Sequence, residues 1–210
     1  MNIIVVGPPG AGKGTQSKVI TKEFNIPHVS TGDLLRDEVK KGTELGNTIK
    51  NLMNSGGLVS DEQVTELLVN RMKEDDCKNG ILLDGYPRTI EQAKSLDTIL
   101  SKIDKVVVIE IEDEKIVDRM SGRRTCPSCQ KLYHMTNQPP KNGELCDDCN
   151  IELNQRADDN PETVKNRLVK YHQVTSPIID FYKERGIVFS VYGDGDIKEI
   201  SSKIIKAIKE

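Results

Sequence analysis

Apolar residues along this chain fall in short continuous runs separated by longer stretches of mixed polarity. The runs lie at Ile3 to Val6, Ile81 to Leu83, Val106 to Ile111 and Ile187 to Val191, with a shorter one around His28-Val29. A strand buried on both faces of a parallel sheet reads this way, because neither face meets water. Between the runs, helix-like periodicity with good start signals appears after Gly12, after Thr31, after Ser60-Asp61, from Thr89 to Leu100, from Glu114 to Met120, from Pro161 to Glu184 and from Asp196 to the end. Strand and helix alternate, so the pattern predicts an α/β fold with a five-stranded parallel sheet and helices on its flanks.

Two regions break the alternation. Thr31 to Val59 reads as helix throughout, punctuated by Gly42, Gly46 and Gly56-Gly57. Arg124 to Asp159 lacks long apolar runs, is rich in Cys, Asn, Pro and Asp, and returns to helix at Asn160-Pro161. Both are expected to project from one core. The resulting division is a core of 1–29, 60–121 and 160–210, a helical insertion at 30–59 and a lid at 122–159.

Composition narrows the partners. With 30% charged and 36% hydrophobic residues the 210-residue chain is an ordinary globular one, and its net charge of −3 argues against coating nucleic acid. Any phosphate site must therefore be local. The opening apolar run breaks at Gly7, far short of a signal-peptide core or a membrane span, so a cytoplasmic protein without a membrane partner is expected.

Gly7-Pro-Pro-Gly-Ala-Gly-Lys13-Gly-Thr15 follows the first strand and opens a helix. That is the setting of a P-loop: successive backbone N–H groups converge on one point, the helix adds its positive end, and a lysine reaches the β and γ phosphates. A mere glycine-rich turn would not need Lys13. Strand Ile81 to Leu83 runs into Asp84, which places a carboxylate at the carboxyl edge of a parallel strand, suited to Mg²⁺ through a water. Arginines gather beyond these motifs, at Arg36, Arg88, Arg119, Arg123, Arg124, Arg156 and Arg167. Phosphoryl transfer asks for positioning and positive charge more than for covalent chemistry, and guanidinium forks provide both.

Four of the five cysteines form Cys126-x2-Cys129, sixteen residues, then Cys146-x2-Cys149. The spacing is that of a closed tetrahedral Cys₄ site, with Zn²⁺ the expected structural ion and iron the alternative. His134 is a possible substitute ligand that four cysteines make unnecessary, while His28 and His172 read as structural and Cys77 as a bystander.

The variant GxPGxGKGT, the segment Ser30-Thr-Gly-Asp-Leu-Leu-Arg36 and the run Asp84-Gly-Tyr-Pro-Arg88 followed by Gln92 together resemble the adenylate kinases, a nucleoside monophosphate kinase family, from Met1 to about Gly195. The resemblance implies transfer of a phosphoryl group from Mg·ATP to AMP by a monomeric enzyme whose partners are ATP, AMP and ADP. On that basis ATP would meet Gly10, Ala11, Gly12, Lys13, Gly14, Thr15, Arg119 and Arg123, with Leu132, Tyr133 and Gly195 near its base or ribose. AMP would meet Thr31, Arg36, Gly57, Leu58, Val59, Gly85, Tyr86, Pro87, Arg88, Gln92, Arg156 and Arg167. Lys13, Arg88, Arg123, Arg156 and Arg167 would carry the catalysis, and Asp158 and Asp159 would orient arginines or Mg²⁺-bound water. Gln92 can both donate and accept, which matches the amino group and ring nitrogen of adenine. Kinases of other monophosphates, a GTP donor, and a zinc-ribbon module that binds nucleic acid are the competing readings.

Overall fold

A computed structural model describes all 210 residues. In chain order the elements are β1 (Asn2–Val6), α1 (Lys13–Phe24), β2 (His28–Ser30), α2 (Thr31–Lys40), α3 (Glu44–Asn54), α4 (Asp61–Met72), β3 (Ile81–Asp84), α5 (Ile90–Ile99), β4 (Lys105–Glu110), α6 (Asp113–Ser121), β5 (Arg123–Thr125), β6 (Leu132–His134), α7 (Pro161–Lys170), α8 (Pro177–Lys183), β7 (Val188–Tyr192) and α9 (Ile197–Lys209).

Five strands form a parallel sheet in the order β2-β3-β1-β4-β7. Period-two alternation sorts their side chains onto two faces. Ile4, Val6, Leu83, Val106 and Val108 join a core completed by Leu35 of α2, Leu68 of α4, Leu96 of α5 and Ile178 of α8. Ile3, Val5, Leu82, Val107 and Ile109 join the other, with Ile20 of α1 and the stripe Ile200, Ile204 and Ile208 of α9. Because both faces are covered, the central strands β3, β1 and β4 are apolar through their middles while the edge strands β2 and β7 keep polar positions, and each fully buried aliphatic side chain stabilises the sheet by about 1.5–3 kcal/mol. All five strands deliver their following loops to one edge, where ligands of open parallel sheets bind.

Two expectations need correction. The stretch from Pro161 to Glu184 is not one helix: α7 ends at Lys170, a wider π-type turn spans Tyr171–Thr175, where the Ser176 N–H donates to the Tyr171 carbonyl at 2.8 Å, and α8 starts afresh at Pro177. Proline has no N–H to donate and fits a first turn, so the chain restarts there instead of continuing. Within the helical insertion, Gly46 does not break a helix. It lies inside α3, where a Cβ would stand 2.7 Å from the Glu38 carbonyl, so its role is to let α3 press against α2.

The 122–159 segment carries the two-stranded antiparallel pair β5-β6, isolated bridges and a 3₁₀ turn at Ala157–Asp159. Its own core is four residues, Cys126, Tyr133, Cys146 and Leu153. No helix of the chain is long and apolar enough to cross a membrane.

Candidate active site

The carboxyl edge of the sheet opens into a cleft of about 880 Å³. One end is the loop between β1 and α1. The N–H groups of Lys13 and Gly14, which open α1, have no helical acceptor by position and are available to an anion in the cleft, while those of Thr15 and Gln16 donate to the Gly12 carbonyl at 3.0 and 3.1 Å. Gly12 sits at the helix cap with φ +96°, a left-handed backbone that turns these donors toward one point. Lys13 Nζ donates to the carbonyls of Gly7 at 2.9 Å and Pro8 at 2.8 Å, which holds the ammonium over the loop. Burial lowers its pKa to about 8, an effect that the Asp84 carboxylate opposes and that Arg88, Arg167 and Arg123 reinforce.

Asp84 ends β3 between Val5 and Ser30, beside this loop. Burial pushes its carboxyl up, but the His28 hydrogen bond at 3.3 Å and the Lys13 charge outweigh that and leave it below the usual carboxylate range. His28 is thus a direct neighbour of the site, although its sequence context suggested only a structural residue. An ionised carboxylate with one protein partner on the cleft wall has the donor chemistry a hydrated divalent cation requires.

The other end of the cleft lies between β3, α2 and the segment after α3. Thr31 Oγ1 donates to the Gly85 carbonyl at 2.8 Å, and Arg88 Nε donates to the same carbonyl at 2.9 Å. Gly85 has φ +82°, and a Cβ there would come within 2.9 Å of Thr31 Oγ1, so only glycine lets this turn close. Arg36 pairs with Asp33 at 2.5 Å. Gln92 is buried under the cleft wall; its Oε1 accepts from the Arg88 N–H at 2.7 Å and its Nε2 donates to Asp61 at 2.8 Å. Leu35, Met53, Val59 and Val64 give this end of the cleft apolar walls.

Arginines converge between the two ends. Arg123 makes a two-pronged pair with Asp159, Arg167 donates to Asp158 at 2.6 Å, and Arg119 donates to the Gly193 carbonyl at 3.1 Å and to Asp194 at 2.8 Å. Arg88 and Arg156 are each brought down to about 10: burial is the main cause, and crowding by Arg167 at Arg88 and by Arg36 at Arg156 adds to it. Burial also lowers Arg167. The buried Nε atoms of Arg36 and Arg156 have no protein partner. Cations held together in this way, with donors left over, form a receptor for a polyanion.

Every nucleotide-contacting residue expected from the sequence lines this one cleft except Tyr86. Tyr86 is 1% exposed, belongs to the sheet core and shares a hydrogen bond with Thr65 at 2.9 Å, because the turn after β3 directs it inward. Tyr133 also differs in part, since its buried hydroxyl lies 3.4 Å from Cys146 Sγ and accepts from the Asp147 N–H at 2.9 Å. Leu132, one residue earlier, faces the loop, 3.6 Å from where a Cβ on Gly14 would be. Asp61 and Asp194 escaped the sequence reading, because each acts on a residue far away in the chain.

The four cysteine Sγ atoms lie within 4.8 Å of one another, and Cys129 and Cys146 are 3.6 Å apart. Thiolates about 2.3 Å from one tetrahedral ion stand about 3.8 Å apart, so the cluster fits a metal. The two turns repeat one design. Gln130 and Asn150 are left-handed, with φ 57° and 53°, and their N–H groups donate back to Cys126 and Cys146. His134 is outside the cluster, and its Nδ1 accepts from the N–H groups of Thr136 and Asn137.

Comparison with known proteins agrees with the cleft. The family model described as adenylate kinase matches residues 5–187. A protein named adenylate kinase from Caldicellulosiruptor saccharolyticus is 50% identical over 99% of both chains. Proteins of that name from Trichlorobacter lovleyi and Finegoldia magna are 48% and 46% identical over the full length of both. A phosphate loop, a second pocket under shared arginines and this degree of likeness from end to end lead to one conclusion: the chain belongs to the adenylate kinase family.

Proposed function

We propose that this chain reversibly transfers the terminal phosphoryl group of Mg·ATP to AMP, giving two molecules of ADP. The observation that carries the reading is the two-ended cleft, with a glycine-rich loop and Lys13 at one end, an apolar-walled pocket beside Gln92 at the other and buried arginines between them.

In this reading the donor phosphates rest on Gly10 to Thr15 with Lys13, Arg119 and Arg123 against their oxygens, and Leu132, backbone near Tyr133 and Gly195 flank the ATP base or ribose. AMP lies on Thr31, Arg36, Gly57 to Val59, Gly85, Pro87 and Gln92, its phosphate under Arg88, Arg156 and Arg167. The arginines stabilise charge on the phosphoryl group in flight while the two sites hold attacking and leaving oxygens in line. Asp158 and Asp159 keep Arg167 and Arg123 aimed. Asp84 would hold magnesium through water, and the ion would neutralise charge on the β and γ phosphates. The division into a core, an AMP-binding insertion at 30–59 and a lid at 122–159 follows, with Zn²⁺ on Cys126, Cys129, Cys146 and Cys149 as the lid's structural ion. Closure would exclude water and suppress ATP hydrolysis.

Incubation with Mg·ATP and each of AMP, UMP, CMP and GMP tests this. ADP should form rapidly with AMP alone, and the absence of transfer to any monophosphate would overturn the reading. A pH experiment follows from Lys13. Its depressed pKa means that the free protein between about 8 and 10.5 holds fewer protons there than the unfolded chain, so stability gained at this position rises with pH across that window. A bound triphosphate reverses the preference by stabilising the ammonium. ATP binding at pH 8.5 should therefore take up a fraction of a proton, read by calorimetry in two buffers of different ionisation enthalpy, and Lys13→Met should abolish the uptake. The same proton uptake by both proteins, read from the difference between the two buffers, would contradict it.

A further inference from the structure

We infer that Asp61 is a specificity-determining positioning residue, which locks the Gln92 side-chain amide in the one orientation that recognises a 6-amino purine. The inference rests on the AMP-acceptor reading above and explains how that pocket discriminates.

A free glutamine amide is nearly symmetric in shape, and a half-turn about its last bond exchanges C=O and NH₂. One orientation offers an acceptor to the adenine amino group and a donor to the adjacent ring nitrogen. The other offers a donor to a 6-oxo group and an acceptor to the protonated ring nitrogen of hypoxanthine or guanine. A glutamine free to turn would accept both kinds of base.

Gln92 is not free to turn. Asp61 at the start of α4 is 31 residues away in sequence, yet its Oδ1 lies 2.8 Å from Gln92 Nε2. On the opposite side the Arg88 N–H donates to Gln92 Oε1 at 2.7 Å. A carboxylate can only accept and a backbone N–H can only donate, so a reversed amide would set oxygen against oxygen and hydrogen against hydrogen. Asp61 is itself held: its Oδ2 accepts from Thr89 Oγ1 at 2.7 Å, and Thr89 Oγ1 accepts from the Gln92 N–H at 3.0 Å. With one lone pair of Oε1 and one hydrogen of Nε2 engaged, one acceptor and one donor remain for the base. Held in this orientation, Oε1 would accept from the amino group of adenine and Nε2 would donate to the adjacent ring nitrogen. Gln92 is 3% exposed, so water offers little relief to a mismatched base.

The test compares AMP with IMP, which differ at this edge alone, in the parent, D61N and Q92L. An Asn side chain can present its amide nitrogen to Gln92 and so turns the constraint at Nε2 from one that opposes the reversed orientation into one that favours it, leaving only the Arg88 N–H against it. We expect D61N to lower the ratio of kcat/KM for AMP to that for IMP by tenfold or more, chiefly through KM, with KM for ATP little changed. In the Q92L background, D61N should not move the ratio further. An unchanged ratio in D61N, or equal losses on both acceptors, would leave Asp61 a structural residue and overturn the inference. If D61N does not fold, D61A provides the same test, since it removes the acceptor facing Gln92 Nε2; a folded D61A with the parental ratio and altered stability alone would also overturn it. Failure of the parent to phosphorylate AMP would instead defeat the acceptor reading itself.

Discussion

Arg88→Met is expected to lower kcat by about 10³- to 10⁵-fold, a loss of about 4–7 kcal/mol of transition-state stabilisation, while the nucleotide-free protein melts at the parental temperature or above it. The two halves of this expectation share a cause. Arg88 is buried against Arg167 and Arg36, and together burial and like charge bring its pKa down to about 10. A guanidinium in that position costs stability in the free protein, because it has left water without gaining a carboxylate of its own; its Nε meets only the Gly85 carbonyl at 2.9 Å. The cost is recovered when phosphate oxygens arrive, and most fully when charge builds on the phosphoryl group in transit. Methionine keeps much of the volume and removes the charge, so packing survives and catalysis does not. Single-turnover transfer with melting of the apo protein checks both halves. Activity within tenfold of the parent would show that Arg88 does not act on the transferring group, and a large fall in melting temperature would show that its role is structural.

What could be read from the chain and what could not divides along physical lines. The glycine-rich loop was legible because its chemistry is local: Gly12, Lys13 and the start of α1 are neighbours in sequence, and the donors it offers belong to the backbone itself. The cysteine site was legible because each turn presents two thiolates three residues apart, so spacing encodes geometry. The sheet was legible because strands covered on both faces carry no alternation to confuse them. Tyr86 shows that a motif gives residue types and not directions: within one turn Gly85, Pro87 and Arg88 line the cleft while the Tyr86 side chain enters the core. The break at Tyr171–Thr175 was invisible because apolar spacing continues through it and Pro177 is as acceptable at a first turn as it is disruptive in an interior. Asp61 and Asp194 were missed for a third reason. Asp61 reaches Gln92 only where α4 packs beside α5, and Asp194 reaches Arg119 only because β7 lies next to β4, so neither contact exists until the sheet order is set.

Cys129→Ser should empty the metal site and unfold the lid, with metal content falling from about one ion per chain to near zero by mass spectrometry, which would also identify the ion. The reason is the poverty of the lid's own core. Of its four buried members two are cysteines, and the others are Leu153 and Tyr133, whose hydroxyl is itself turned toward Cys146. An insertion of this kind has little apolar surface to set against the entropy of ordering its loops, whereas a structural zinc ion contributes about 10–16 kcal/mol to fragments it organises. Three thiolates and a serine bind far more weakly. If only about 4 kcal/mol of that energy reaches the chain as a whole, the melting temperature should fall by about 8–16 °C. The catalytic consequence has a direction as well. Leu132 sits over the loop and Arg123 at the lid's base, so a disordered lid admits water and loosens a cation at once, and transfer to AMP should fall further than hydrolysis of ATP to water. Chelation of the parent protein should reproduce the loss, and added zinc should reverse it. An unchanged metal content in Cys129→Ser would refute the four-cysteine site, and metal loss without any change in melting or in the ratio of transfer to hydrolysis would mean that the ion does not organise the lid.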